Sequence, residues 1–324
     1  MLFSEFPPIE TAAWRERIEV ELRKAAAKSK HPQGTTNSAP TTWHDLAWHT
    51  PEGFTLAPFY RRDEVQPIDT NAFAHATGDW QISELVYVHS HEPLHLRAVN
   101  ATALGALKGG AEAITWVLDI EPNADQWEVL HKDIFRDMIT EYHTYTPAYK
   151  QQQQPRTPFV ALPTTVNAVE QVASALQQLR EGVQTENTHP RLEVYLTVGA
   201  SFFIEIAKLR ALRYLLRTKI GEGQAVTLVA TVDTGTWGDD PHTNKIKATT
   251  QALAAVLGGA DVLNIPAFDR TNPDGTGFDR RIARNIQHLL KHESGLNRVA
   301  DPLGGSYYVE AITQAIIEAA EPLT

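Results

Sequence analysis

A chain of 324 residues, 42% hydrophobic and 21% charged, has an ordinary globular composition and is long enough to bury a full core, as one large α/β domain or two smaller ones. A net charge of −10 would repel a nucleic-acid backbone, and zero cysteines exclude disulfides, thiolate metal sites and thiol nucleophiles. No run approaches the ~20 apolar residues of a membrane-spanning helix, and Met1-Leu2-Phe3-Ser4-Glu5 has no signal-peptide pattern, so a soluble cytoplasmic protein without membrane or nucleic-acid partners is expected.

In chain order, Glu10-Thr11 opens an amphipathic helix to about Lys28, with Trp14, Ile18 and Leu22 on one stripe. His31 to Pro40 is a linker by composition. The helix must therefore fold back on its own chain or dock on another, and both readings stay open. From Trp80 the pattern is α/β. Glu84 to His89 reads as a strand, Arg97 to Leu107 as a helix ended by Gly109-Gly110, and Ala113 to Asp119 as a buried strand. The same unit returns at Ala252 to Leu257, Gly258-Gly259 and Ala260 to Ile265. Such repeats imply crossover helices over a parallel sheet.

Between these copies the pattern gives a helix near Gln126 to Tyr142, a polar Gln151 to Gln154 loop and a short strand at Phe159 to Leu162. A helix from Val166 to Leu179 and strands at Leu192 to Val198 and Val226 to Val232 follow. A last helix from Asp279 places Ile282, Ile286, Leu289 and Leu290 on one face and Arg281, Arg284, Gln287 and His288 on the other. Gly295 caps it, Asp301-Pro302 with Gly304-Gly305 turns sharply, and Tyr307-Tyr308-Val309 reads as a short strand or extended segment.

His89, His91 and His95 with Glu92 have metal-like spacing, but Pro93 interrupts them and solvent-facing histidines are the favoured reading; no metal site is expected. Asp119 could act as acid or base, with an N-cap of the next helix favoured. Asp239-Asp240-Pro241 reads as a helix start, and Arg210, Arg213 and Arg217 as a solvated charge stripe. No dinucleotide-type glycine motif follows the early strands.

Several segments carry a family resemblance. Arg281-Ile282-Ala283-Arg284-Asn285 followed by Asp301-Pro302 and Gly305-Ser306-Tyr307-Tyr308-Val309-Glu310 resembles the end of the barrel domain of methylmalonyl-CoA mutases. Thr50-Pro51-Glu52-Gly53-Phe54 with Pro58-Phe59-Tyr60 resembles its beginning, and Phe202-Phe203-Ile204-Glu205-Ile206-Ala207-Lys208-Leu209-Arg210 one of its helices. The resemblance implies a (β/α)8 TIM-barrel-like fold over residues 41–324, shortened or incomplete, behind an N-terminal helical arm and linker at 1–40. Six or seven strands are countable, and two βα units are expected to be missing between Asp119 and Phe159. With the chain ending at Thr324, the family's C-terminal cobalamin domain is expected to be absent.

Set against the family's active-site motifs, this sequence departs where substrate and corrin would be held. The Arg-Pro-Trp-Thr-Ile-Arg-Gln-Tyr segment reads Gly78 to Leu85, with Leu85 in place of the tyrosine and both arginines gone. The Gly-Tyr-His segment falls near Ala161-Leu162-Pro163-Thr164, and the corrin-facing histidine segment reads Val229 to Trp237, keeping chiefly Thr234 and Trp237. The resemblance is to the small, non-catalytic chain. It implies no catalytic residues here, pocket-facing positions at Leu85, Asp119, Thr164, Asp233, Thr234 and Trp237, and adenosylcobalamin carried by a catalytic large partner in a heterodimer. That partner would isomerise methylmalonyl-CoA and succinyl-CoA, with Trp14, Ile18 and Leu22 supplying part of the contact. The other readings are a stand-alone barrel enzyme using Asp119 and Asp233 as acid/base groups, and a non-catalytic acyl-CoA binding module.

Overall fold

The computed structural model describes residues 9–28, 39–65, 68, 78–145, 159–161, 167–185, 191–220, 225–272 and 274–323. Thr164, most of the 31–40 linker and the 151–154 glutamine tract lie outside them. Helix α1 (Thr11–Lys28) is followed by a small antiparallel pair, β1 (Trp48–His49) and β2 (Thr55–Leu56). Then come β3 (Gln81–Val88), α2 (Pro93–Lys108), β4 (Ala113–Leu118), α3 (Ala124–Leu130), β5 (Thr140–Tyr145), β6 (Phe159–Ala161) and α4 (Ala168–Thr185). The chain continues through β7 (Arg191–Val198), α5 (Phe202–Ile220), β8 (Ala225–Val232), α6 (Pro241–Gly258), β9 (Val262–Asn264), α7 (Gly277–His288) and α8 (Tyr307–Ala320).

Seven strands form one parallel sheet in the order β5-β4-β3-β9-β8-β7-β6. Helices cross between the parallel strands, and β4 is buried along its whole length, whereas β5 at the sheet edge is only partly buried. The sheet curls: Tyr142 of β5 and Tyr195 of β7, near its opposite ends, join one buried cluster with Ala113, Val229 and Val262. The Tyr195 hydroxyl accepts the His143 N–H at 3.1 Å, bridging the open side. This is a shortened TIM-barrel-like fold.

It corrects two expectations at once. The segment read as one helix from Gln126 to Tyr142 is the short α3 plus β5, so among the described residues the sheet is one strand short of eight, not two. Apolar residues at 127, 130, 134 and 139 mimic a helical stripe. Yet α3 stops at Leu130, and Asp133 takes a positive φ of 60° that ends regular helix. The expected N-cap at Asp119 is also displaced. Asn123 caps α3, its side chain accepting from Gln126 N–H at 3.0 Å while Gln126 reaches back at 2.9 Å.

Tyr307-Tyr308-Val309 opens α8 rather than a strand. β-propensity of three residues loses to the helical period of Val309, Ile312, Ile316 and Ile317, all buried against the core. In the preceding helix, Ile286 and Leu290 are buried as expected, but Arg284 and Gln287 are buried too and Leu289 is 55% exposed, against expectation. The chain leaves α7 through a wide π-type turn at Leu289–Glu293, which rotates the stripe, and Arg284 pairs with Glu84 of β3. The Arg210-Arg213-Arg217 stripe is not simply solvated either. Arg210 is buried against Asp301 and Glu310, and Arg213 pairs with Asp261 at 2.7 Å. Expected features that stand include Asp240 capping α6 with Pro241 first, and Gly259 and Gly295 in left-handed conformations.

α1 folds back on its own chain. Trp14 meets Trp43 edge-on and Phe59 at a tilt, Arg61 lies over its ring, and Thr11 and Arg15 reach Asp63 and Glu64. Ile18 and Leu22 stay half-exposed. Among the described residues no helix is long and apolar enough to cross a membrane.

Candidate functional site

In parallel α/β barrels, chemistry gathers at the C-terminal ends of the strands. Here β3 and β4 end side by side, Val88 in register with Leu118, so the next residues, His89 and Asp119, meet across the ladder. His89 Nδ1 bonds the Asp119 carboxylate, and its Nε2 bonds Asp274 Oδ1 at 3.0 Å. Its N–H donates to His95 Nε2 at 3.1 Å, and Tyr87 stacks on its ring. Burial works against charge on His89, but the hydrogen bonds to Asp274 and Asp119 outweigh it and raise its pKa above the ordinary histidine value. Tyr87 is pushed up to about 12 by burial and by the same two carboxylates.

His91 is separately occupied by Gln126 at 2.8 Å, so the histidines do not converge. Among the described residues no group of three or more His, Cys, Asp or Glu is placed to hold a metal. Asp274 could not be found from sequence: it lies 185 residues from His89 in a loop without a motif.

A raised pKa in the folded state means that the His89 contribution is fully present below the unfolded value of about 6.5 and is lost as pH rises through the folded value. His89→Asn should therefore cost more at pH 6 than at pH 9. The difference should be under about 1 kcal/mol because the site is screened. Urea unfolding of both proteins at the two pH values measures it.

Leu85 is buried below Tyr87 and lines a cleft between β3 and α7. At the end of β8, Asp233 Oδ1 accepts the Gly235 N–H at 3.0 Å, and the Thr234 carbonyl accepts from Trp237 N–H at 3.0 Å, a local turn. Trp237, expected to face the pocket, is instead buried under α6. Its indole N–H donates to Gln251 Oε1 at 2.9 Å and its ring stacks on Phe268. The indole is large and apolar, and the turn at Thr234 swings it into the core. Leu85 and Asp119 thus share one rim, while Asp233 and Thr234 belong to a separate turn.

Below the rim, Tyr142 and Tyr195 occupy the lower axis. Tyr142 O–H donates to Gln81 Oε1 at 2.6 Å, and Tyr195 O–H donates to Glu193 Oε2 at 2.7 Å. One layer up, Ser83 and Thr115 hydroxyls are 2.9 Å apart. Asn264, in register between Ser83 and Thr231, is fully buried with neither amide atom bonded among the described residues. An unpaired buried amide is costly. Asn264→Val should raise stability by about 1 kcal/mol, read as a higher midpoint in thermal unfolding.

A curled, parallel α/β barrel, one strand short among the described residues and closed along its lower axis, defines the class. Residues 160–324 match the family model for methylmalonyl-CoA mutase, and the chain belongs to that family. It is 25% identical over 406 aligned residues to the methylmalonyl-CoA mutase small subunit of Porphyromonas gingivalis, covering 98% of this chain and 63% of that protein. It is 35% identical over 173 residues to the methylmalonyl-CoA mutase of Escherichia coli, 48% of this chain and 24% of that protein. The Rhizobium meliloti mutase is 39% identical over 151 residues, 44% of this chain and 21% of its own length. The chain thus spans less than two thirds of the length of each of these relatives.

Proposed function

We propose that this chain is a small-subunit-like, non-catalytic member of the family, supporting adenosylcobalamin-dependent isomerisation of methylmalonyl-CoA and succinyl-CoA by a catalytic large chain. The observation that carries this reading is the closed axis. An extended acyl thioester held along the barrel would collide with Tyr142 and Tyr195, both buried and hydrogen-bonded in place. The alignment with a protein named as a small subunit, over almost all of this chain, supports the same reading.

When bound, adenosylcobalamin supplies a cobalt–carbon bond that breaks homolytically. The residues at these strand ends do not fit it. His89 has both ring nitrogens engaged by carboxylates, leaving none to ligate cobalt, and Asp233 is tied into its own turn by the Gly235 N–H. The cofactor therefore belongs with the partner. The stand-alone reading through Asp119 and Asp233 is the lesser one, since the two carboxylates belong to separate strand-end turns, Asp119 bonded to His89 and Asp233 to the Gly235 N–H.

The half-exposed Ile18 and Leu22 on α1 are the proposed partner contact, with Trp14 bracing the arm from behind, in a cytoplasmic heterodimer. Native mass spectrometry of the chain co-expressed with the large chain should give a 1:1 complex whose corrinoid stays on the large chain. A monomer in the presence of that partner, or turnover by this chain alone, overturns the proposal.

A further inference from the structure

Outside the barrel axis, the upper half of β3 parts from β9 beyond Ser83, where their pairing ends. A groove of about 170 Å³ opens there. Its floor is aliphatic: Leu85, Val86, Ala98 and Val99. Its rim carries Tyr87, His95, Asp274 and Arg280.

The rim groups keep free hydrogen-bonding capacity. Asp274 gives Oδ1 to His89, and Oδ2 has no partner among the described residues. Arg280 spends Nη1 on the carbonyls of Asp274, at 2.7 Å, and Gly275, at 2.9 Å, and Nε lies 3.6 Å from Glu84, while Nη2 has no partner among the described residues. The Tyr87 hydroxyl has no partner among the described residues, and the acceptor role of His95 Nε2 leaves its Nδ1–H as a donor. The guanidinium thus touches the Asp274 backbone, yet the two opposite side-chain charges do not pair with each other.

We infer that this groove binds a small aliphatic zwitterion of the α-amino acid class, its ammonium on Asp274, its carboxylate on Arg280 and the Tyr87 hydroxyl, and its side chain on the Leu85–Val99 floor. A simple anion would meet the neighbouring Asp274 carboxylate, and a simple cation the Arg280 guanidinium. Only a ligand carrying both charges satisfies the two together.

L-valine, isobutyrate and isobutylamine form a matched probe set for saturation-transfer NMR titration of the full chain. L-valine should bind saturably, with the other two at least tenfold weaker. Asp274→Asn and Arg280→Gln should each weaken L-valine at least tenfold. No saturable binding of L-valine, equal binding of isobutyrate, or unchanged binding in Asp274→Asn overturns the inference. Because Arg280 also holds the loop, its variant counts only if thermal unfolding shows it folded. Asp274→Asn preserves shape and decides the question alone.

Discussion

Arg210→Met should cost about 3–5 kcal/mol, the largest loss expected from a single substitution in this protein. The Arg210 side chain on α5 is 2% exposed and donates to Asp301 and, at 2.8 Å, to Glu310 of α8, which is 0% exposed. Glu310 also accepts the Gly305 N–H at 2.9 Å. One guanidinium therefore ties α5, the Asp301–Gly305 turn and α8 together. Methionine fills the volume but strands two buried carboxylates without their cation. Urea unfolding should show a lower midpoint with an unchanged slope. Pairing it with Glu310→Leu should recover part of the loss, because the charge most deeply buried is then gone as well. If Arg210→Met alone costs under 1 kcal/mol, the triad is not holding α8.

Tyr195→Phe should cost about 1–3 kcal/mol and should act on a strand that Tyr195 does not ladder with. The lost hydroxyl both donates to Glu193 at 2.7 Å and accepts the His143 N–H at 3.1 Å, so a carboxylate and a backbone donor each lose a partner together. Burial, with Glu193 adding to it, raises the Tyr195 pKa far above the ordinary phenol value, so the donor is present at every working pH. The local signature is faster hydrogen exchange across Thr140–Tyr145, where β5 forms one edge of the sheet. Exchange confined to β7, with β5 unchanged, would mean that the hydroxyl does not bridge the open side.

Both expectations rest on residues whose roles were only partly readable. Arg210 was visible as a charge at helical spacing, and such stripes usually face water. Its partners lie 91 and 100 residues away. Tyr195 was one position among seven in the strand read at Leu192 to Val198. The His89 cluster was half legible: its histidine and Asp119 fall at predicted strand ends, whereas Asp274 came from an unpatterned loop. Trp237 kept its place in the motif comparison, but the turn at Thr234 sent it inward.

By itself the sequence determined the alternation of helices and apolar strands, the glycine pairs that end α2 and α6, the Asp240-Pro241 cap and the family. These are properties of neighbouring residues, where hydrophobic period, capping chemistry and left-handed glycine act within a few positions. Only the tertiary structure decided that β5 replaces a helix, that Tyr307 begins one, that two tyrosines close the lower axis and that Arg210 and Arg284 lie inside. Each depends on which distant surface arrives against the segment. Burial against that surface outweighs the few tenths of a kcal/mol per residue by which local propensities differ.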